Sequence, residues 1–256
     1  MAVSPTAVNT KLRRYRLAQN EPCVLERDGN VAEIPVLGEI AVDDAGNVFV
    51  ASTVEVARVH PGAKVICTKD PALDLTGWSE EAITLSRDGK VGYIGYLKRS
   101  GGTQIDRRIV KLTADATSCA ITPLAISGVT LGGIDGLALD GKGRLHVADD
   151  DVGGAAPRVV VVDASGAFQF AYDQVTGDKL VSISNLSACK SGICGLDLGE
   201  AIVFSENGTF VGRGDVTYVE GMRFPKLRGG PKGPLFVVGT RYVDPPRPDV
   251  YILRAR

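Results

Sequence analysis

One stretch constrains the fold more than any other: Gly133-Ile-Asp-Gly-Leu-Ala-Leu-Asp-Gly-Lys-Gly-Arg-Leu-His-Val-Ala-Asp149. Leu137 and Leu139 supply the apolar side chains of a strand. A glycine-rich tight turn follows, and Leu145 and Val147 repeat the pattern on the way back. Pro157 to Asp163 and Ala167 to Asp173 read as two more strands, joined by Ala164-Ser165-Gly166. The unit is four short antiparallel strands, and related copies of it fill most of the chain. Their first strands align as Gly38 to Asp43, Glu81 to Ser86, Asp135 to Asp140, Ser184 to Cys189 and Glu220 to Pro225. Self-similarity at such a spacing signals a solenoid or a radial array.

The second strands are clearest at Val48 to Ala51, Val91 to Tyr96, Leu145 to Ala148 and Leu235 to Gly239, with Ile193 to Leu198 in the degenerate fourth copy. Asp44-Ala-Gly-Asn47, Arg87-Asp-Gly-Lys90 and Gly141-Lys-Gly-Arg144 make the turns, with glycine placed where a hairpin needs positive φ. Third and fourth strands recur from Val56 to Thr68, Arg108 to Thr122, Arg158 to Tyr172 and Ala201 to Arg213. Arg14 to Leu17 with Cys23 to Glu26 looks like one more pair, and Asp249 to Arg254 like a lone third strand. No stretch holds helical periodicity. An open row of such sheets would expose edges and apolar faces, which radial closure removes. The expectation is therefore one all-β domain over residues 1–256. It is a β-propeller of four-stranded blades, five by a count of about 21 strands and six as the alternative, closed by pairing of N- and C-terminal strands.

Charge is nearly balanced at −1, with no run of five like charges, so neither nucleic acid nor an anionic membrane is indicated as a partner. No apolar run reaches the roughly 20 residues of a membrane span. Residues 1–10 are polar and read as a disordered leader without the apolar centre of a signal peptide. A cytoplasmic protein is not separable from an exported one whose signal has been removed, and a secreted or periplasmic location is preferred. Five cysteines cannot all pair within the chain. Cys189 and Cys194 flank an expected hairpin turn that could bring them to disulfide distance. Cys23, Cys67 and Cys119 fall at similar places in their repeats and read as small apolar packing residues.

In a propeller the first strands line the central channel and their starting residues ring one mouth. Here those residues are Gly38, Glu81, Asp135, Ser184 and Glu220, with Glu39 one place off register. Converging acids repel unless a positive charge or a proton sits among them, and an all-oxygen donor set suits Ca²⁺ or Mg²⁺. Three long loops, Leu97 to Arg107, Asp149 to Ala156 and Arg241 to Pro248, open on the same mouth and bring Asp149, Asp150, Asp151 and Arg241 near the ring. Trp78 reads either as a core anchor between blades or as a stacking platform at the mouth. His146 begins a second strand, His60 precedes a proline in a turn, and no Gly-x-Ser-x-Gly elbow supports a serine triad.

Gly133 to Asp149 followed by Arg158-Val-Val-Val-Val-Asp163, and Leu37 to Ala51 in the same pattern, resemble the NHL-repeat and regucalcin/gluconolactonase propellers. That resemblance implies a divalent cation, Ca²⁺ first, held by acidic and asparagine residues at the starts of innermost strands. Asp135 corresponds to the metal-binding and proposed base aspartate, and Glu39 to the first-blade glutamate displaced by one. The asparagine has no matching residue: Glu81 stands at its place, and Asn185 is off by one. Two functions follow as expectations. The first is a divalent-cation-dependent hydrolase of a lactone or small ester, with Asp135 as base or ligand, Glu39, Glu81 and Glu220 completing the metal site, and Trp78, Asp149, Asp150 and Arg241 contacting substrate. The second is a non-catalytic propeller that binds a protein or a glycan through its loop-rich face.

Overall fold

The computed structural model describes residues 10–17, 25–34, 38–60, 63–101, 103–150, 156–175, 178–189, 192–197, 200–215, 222–228, 235–241 and 247–253. Every regular element among them is a strand. β1 (Thr10–Leu17) and β2 (Leu25–Ile34) form a hairpin. The first blade is β3 (Glu39–Val42), β4 (Val48–Ala51), β5 (Val56–His60) and β6 (Ala63–Ile66). A two-residue strand, β7 (Thr68–Lys69), crosses to the second blade, which is β8 (Trp78–Leu85), β9 (Val91–Ser100), β10 (Thr103–Ala114) and β11 (Cys119–Leu124). The third is β12 (Gly136–Leu139), β13 (Leu145–Asp149), β14 (Arg158–Val162) and β15 (Phe168–Tyr172). A small ribbon, β16 (Gln174–Val175) with β17 (Asp178–Lys179), leads to the fourth, β18 (Ser184–Cys189), β19 (Gly192–Asp197), β20 (Glu200–Phe204) and β21 (Phe210–Asp215). A three-stranded meander, β22 (Met222–Arg228), β23 (Leu235–Arg241) and β24 (Arg247–Leu253), completes the described strands.

This is the expected all-β propeller. Strands β3, β8, β12, β18 and β22 lie side by side in that order as the innermost set. Four blades carry their full four-stranded meander. That is one blade fewer than the five that strand counting predicts; the three-stranded sheet follows them, with β22 beside β18. The N-terminal pair forms as expected but is longer, and among the described pairings β1 and β2 bond only to each other. The expected closure onto the C-terminal sheet is therefore not among the described contacts.

Apolar burial explains the stacking. Phe49, Ala51 and Val56 of the first blade pack on Ile83, Ile94, Tyr96, Val110 and Ile121 of the second. Tyr93, Leu97 and Ile109 meet Leu137, Leu145, Val147 and Val160 of the third, and Ala148 and Val159 meet Ile193, Ile202 and Phe204 of the fourth. A middle blade buries both faces, so its strands read as unbroken apolar runs: Val159 to Val162 are all fully buried. Close approach between blades needs glycine at Gly136, where a Cβ would strike the backbone nitrogen of Leu186.

In the first three blades the turn between first and second strands is tied by a short polar side chain. Asp43 Oδ1 accepts from Asn47 N at 2.8 Å, and Asp140 Oδ1 accepts from Lys142 N at 2.9 Å and Arg144 N at 2.8 Å. Ser86 Oγ accepts from Val91 N at 3.0 Å. These are Asx- and ST-type turns, which satisfy amides that a two-strand ladder leaves open.

The cysteines correct one expectation. Cys67 and Cys119 are not merely packed. They form a disulfide with Cα atoms 4.5 Å apart, joining the outer strands of the first and second blades. Cys189 and Cys194 pair as the hairpin geometry allowed, with Cα atoms 5.9 Å apart. Cys23 lies outside the described residues.

Candidate functional site

Glu39, Glu81, Asp135 and Ser184 sit at or near the same end of their innermost strands, β3, β8, β12 and β18. Glu81 reaches that end through an irregularity: β8 pairs Glu80 with Tyr96 and Ala82 with Gly95, leaving Glu81 as the bulged residue. Bulging lets two successive acids serve different neighbours.

Glu80 lies on the side of the first blade. Burial pushes its carboxyl above the usual carboxylate range, and the charges of Glu39 and Glu81 push it further. Glu81 is tied within its own blade. Its Oε1 accepts from Ser79 Oγ at 3.0 Å and pairs closely with Nη1 of Arg99, which also donates to Ser79 Oγ at 3.0 Å. The hydrogen bond to Glu81 raises the Arg99 pKa in spite of burial, and the charges of Glu81 and Asp135 add to it. The sequence called for a cation or a proton among these acids; Arg99 of β9 brings a guanidinium to Glu81 and within electrostatic reach of Asp135. It was missed because Leu97 to Arg107 reads as a loop. The structure instead extends β9 and β10 through most of it, with Gln104, Lys98 and Arg99 in the ladder.

Asp135 is half-buried. Its amide donates to Ala148 O at 3.0 Å, and its carbonyl accepts from Asn185 N at 2.9 Å, so its backbone is fixed from the second strand of its own blade and the first strand of the next. Asn185 holds the left-handed φ of 54° and its Nδ2 donates to Ser184 Oγ at 3.2 Å. Asp150 accepts from Ser182 Oγ at 3.2 Å across the same seam.

Two of the expected substrate contacts are placed in the framework instead. Asp149 is 1% exposed: its Oδ1 accepts from the amides of Gly132 (2.6 Å) and Gly133 (2.8 Å), and its Oδ2 from Arg158 Nε at 2.9 Å. Asp197 repeats the device in the fourth blade, accepting from Val181 N at 3.3 Å and Ser182 N at 3.0 Å. Each carboxylate pins the segment that enters an innermost strand. Trp78 is 9% exposed in the core between the first two blades, with the Arg108 guanidinium 4.6 Å from its ring centre. It is the anchor of the two readings. Arg241 ends β23, where its backbone pairs with Met222 and Arg247; its side chain lies outside the described residues, as do Glu220 and Asp151.

The expected divalent cation can be tested on the donors present. Glu81 spends one oxygen on Arg99 and Ser79, and among the described residues no three His, Cys, Asp or Glu side chains are grouped to hold a metal ion. The described residues do not fit a Ca²⁺ site.

Neither a protein-family model nor a curated protein matches the sequence. Solved structures do. A gluconolactonase from Xanthomonas campestris is similar with a TM-score of 0.52 at 15% identity over 84% of this chain and 71% of that one. A provisionally assigned gluconolactonase gives 0.51 at 19% over 84% and 75%. A catalytically inactive variant of virginiamycin B lyase from Staphylococcus aureus, solved with quinupristin, gives 0.52 at 12% over 94% and 87%. At these identities the likeness establishes the propeller fold.

Proposed function

We propose that the chain hydrolyses a lactone or small ester at the mouth where Glu81, Arg99 and Asp135 meet. The observation that carries this reading is the Arg99 guanidinium, paired with Glu81 and within electrostatic reach of Asp135 on the neighbouring blade. Nη1 serves Glu81 and Ser79, which fixes the guanidinium in place beside an incoming carbonyl oxygen. Asp135 takes a proton from water as the water oxygen bonds to the carbonyl carbon. Arg99 stabilises the oxyanion that forms. When the carbon–oxygen bond of the ester breaks, the proton held by Asp135 passes to the leaving alkoxide, giving acid and alcohol. Asp150 walls the site. The fold shared with gluconolactonases supports a lactone as first substrate, and the two disulfides favour an oxidising compartment.

No step is routed through a divalent cation, because Arg99 already supplies the positive charge. The test is hydrolysis of a panel of five- and six-membered lactones and short aryl esters, with and without EDTA. Turnover should survive chelation and fall at least a hundredfold in Asp135→Asn and in Arg99→Gln. Absence of turnover across the panel, or unchanged turnover in Asp135→Asn, would overturn the proposal and leave a propeller that binds a protein or glycan through its loops. Loss on chelation with recovery in Ca²⁺ would replace Arg99 as the source of charge.

A further inference from the structure

The innermost strands have a second end. Four residues beyond the acidic mouth, roughly 13 Å along a strand, β8, β12 and β18 finish at Leu85, Leu139 and Cys189, and a cavity of about 680 Å³ opens there among the hairpin turns. That volume falls in the range of small-molecule sites. Its walls are apolar where the strands end, at Leu85, Leu139, Ala188 and the Cys189–Cys194 disulfide, and polar at the rim.

The rim charges are unequal in what they can still bind. Asp140 is buried and accepts from Arg144 Nε at 2.7 Å as well as from the Lys142 and Arg144 amides. Asp88 accepts from Ser86 Oγ at 2.7 Å and the Lys90 amide at 3.1 Å, and lies 3.7 Å from Lys90 Nζ. Glu206 Oε1 accepts from the Gly141 amide at 3.0 Å. Arg87 is the one basic side chain among the described lining residues. Its carbonyl anchors the Asp44 amide at 2.9 Å, while its exposed guanidinium has no carboxylate partner among the described residues. An unspent guanidinium above an apolar floor, with Asp140 and Asp88 each beside a basic side chain of their own hairpin, is suited to a ligand with an anionic head and an apolar body.

We propose that this hairpin-end cavity is a second binding site, for a small amphipathic organic anion whose carboxylate or phosphate group is held by Arg87 and whose apolar part lies against Leu85, Leu139 and Ala188. It stands apart from the lactone reading, since none of its residues belongs to the other mouth. The experiment is isothermal titration of the whole chain with hexanoate, hexyl phosphate, hexanol and hexylamine. At least one of the two anions should bind tenfold or more tightly than either hexanol or hexylamine. Arg87→Gln should weaken that binding at least tenfold, Ala188→Phe should block it by filling the floor, and Glu81→Gln at the opposite mouth should leave it unchanged. Equal binding of the alcohol or the amine, or undiminished anion binding by Arg87→Gln, overturns the site. Arg87 is exposed, so its substitution tests the proposal without disturbing the fold.

Discussion

Asp140 shows how much one carboxylate can hold together. It is fully buried, yet Nε2 of His146 lies 3.2 Å and Arg144 Nε 2.7 Å from its Oδ2, and two amides fill its Oδ1. Nδ1 of His146 in turn meets Tyr172 Oη at 3.1 Å, and burial with the nearby Asp140 charge pushes the Tyr172 phenol up. Burial alone would raise the Asp140 pKa; the hydrogen bonds from His146 and Arg144 outweigh it and hold the carboxyl well below the usual range. A depressed carboxylate stabilises the fold above its ordinary pKa, and that contribution drains away as pH falls below about 4. Asp140→Ala leaves His146, Arg144 and two amides unanswered and should cost about 3–5 kcal/mol at neutral pH in urea unfolding, with the deficit narrowing in acid. Glu80 has the opposite sign. Its pKa is raised, so the folded state gains stability as the proton binds and loses it as pH rises through the raised value. Glu80→Gln should therefore melt higher than the parent at pH 7, by about 2 °C, and show no gain near pH 4. A lower melting temperature at pH 7 would show that the Glu80 charge is needed.

At the scale of the element, hairpins were legible because two signals coincide: an apolar pair on either side, and an Asp or Ser three residues before a glycine. Gly89 and Gly143 both hold positive φ, at 67° and 78°. They differ in surroundings. A Cβ on Gly143 meets open space, whereas one on Gly89 runs into the Asp43 carboxyl of the neighbouring blade, whose other contacts tie the first hairpin to Asn47. Gly143→Ala should cost about 1 kcal/mol, the strain of the backbone alone. Gly89→Ala should cost clearly more and should also loosen the first hairpin, seen as faster amide exchange at Asn47. The bulge at Glu81 was not legible, since nothing in Trp-Ser-Glu-Glu-Ala marks which acid leaves the ladder. Nor was the Asp149 and Asp197 device. An aspartate closing a second strand looks like a mouth residue until the amides it pins are known, because those amides come from the segment ahead of the first strand. Arg99 was hidden by length: a strand running ten residues carried it out to the mouth.

For the whole molecule, radial stacking follows from strands buried on both faces, and that much could be read from runs such as Arg158-Val-Val-Val-Val. Where ring closure falls could not, because it depends on which edge strands pair across the full length of the chain. The disulfide between Cys67 and Cys119 belongs to this scale. Both residues are small and buried in the wedge between the first two blades, so in sequence they are indistinguishable from packing residues; only the placement of one blade on the next brings them together. Their separation of 52 residues sets their worth. Closing a loop of that length removes enough unfolded-state entropy to stabilise by about 4 kcal/mol, against about 2 kcal/mol for the 5-residue separation of Cys189 and Cys194. Alanine at both Cys67 and Cys119 should therefore lower the unfolding free energy about twice as much as alanine at both Cys189 and Cys194. It should also separate the first blade from the rest, visible as early amide exchange across β3–β6 while the third and fourth blades stay protected. If both double variants lose the same stability and unfold in one step, the bond is a local ornament, and apolar packing between the blades holds the ring without it.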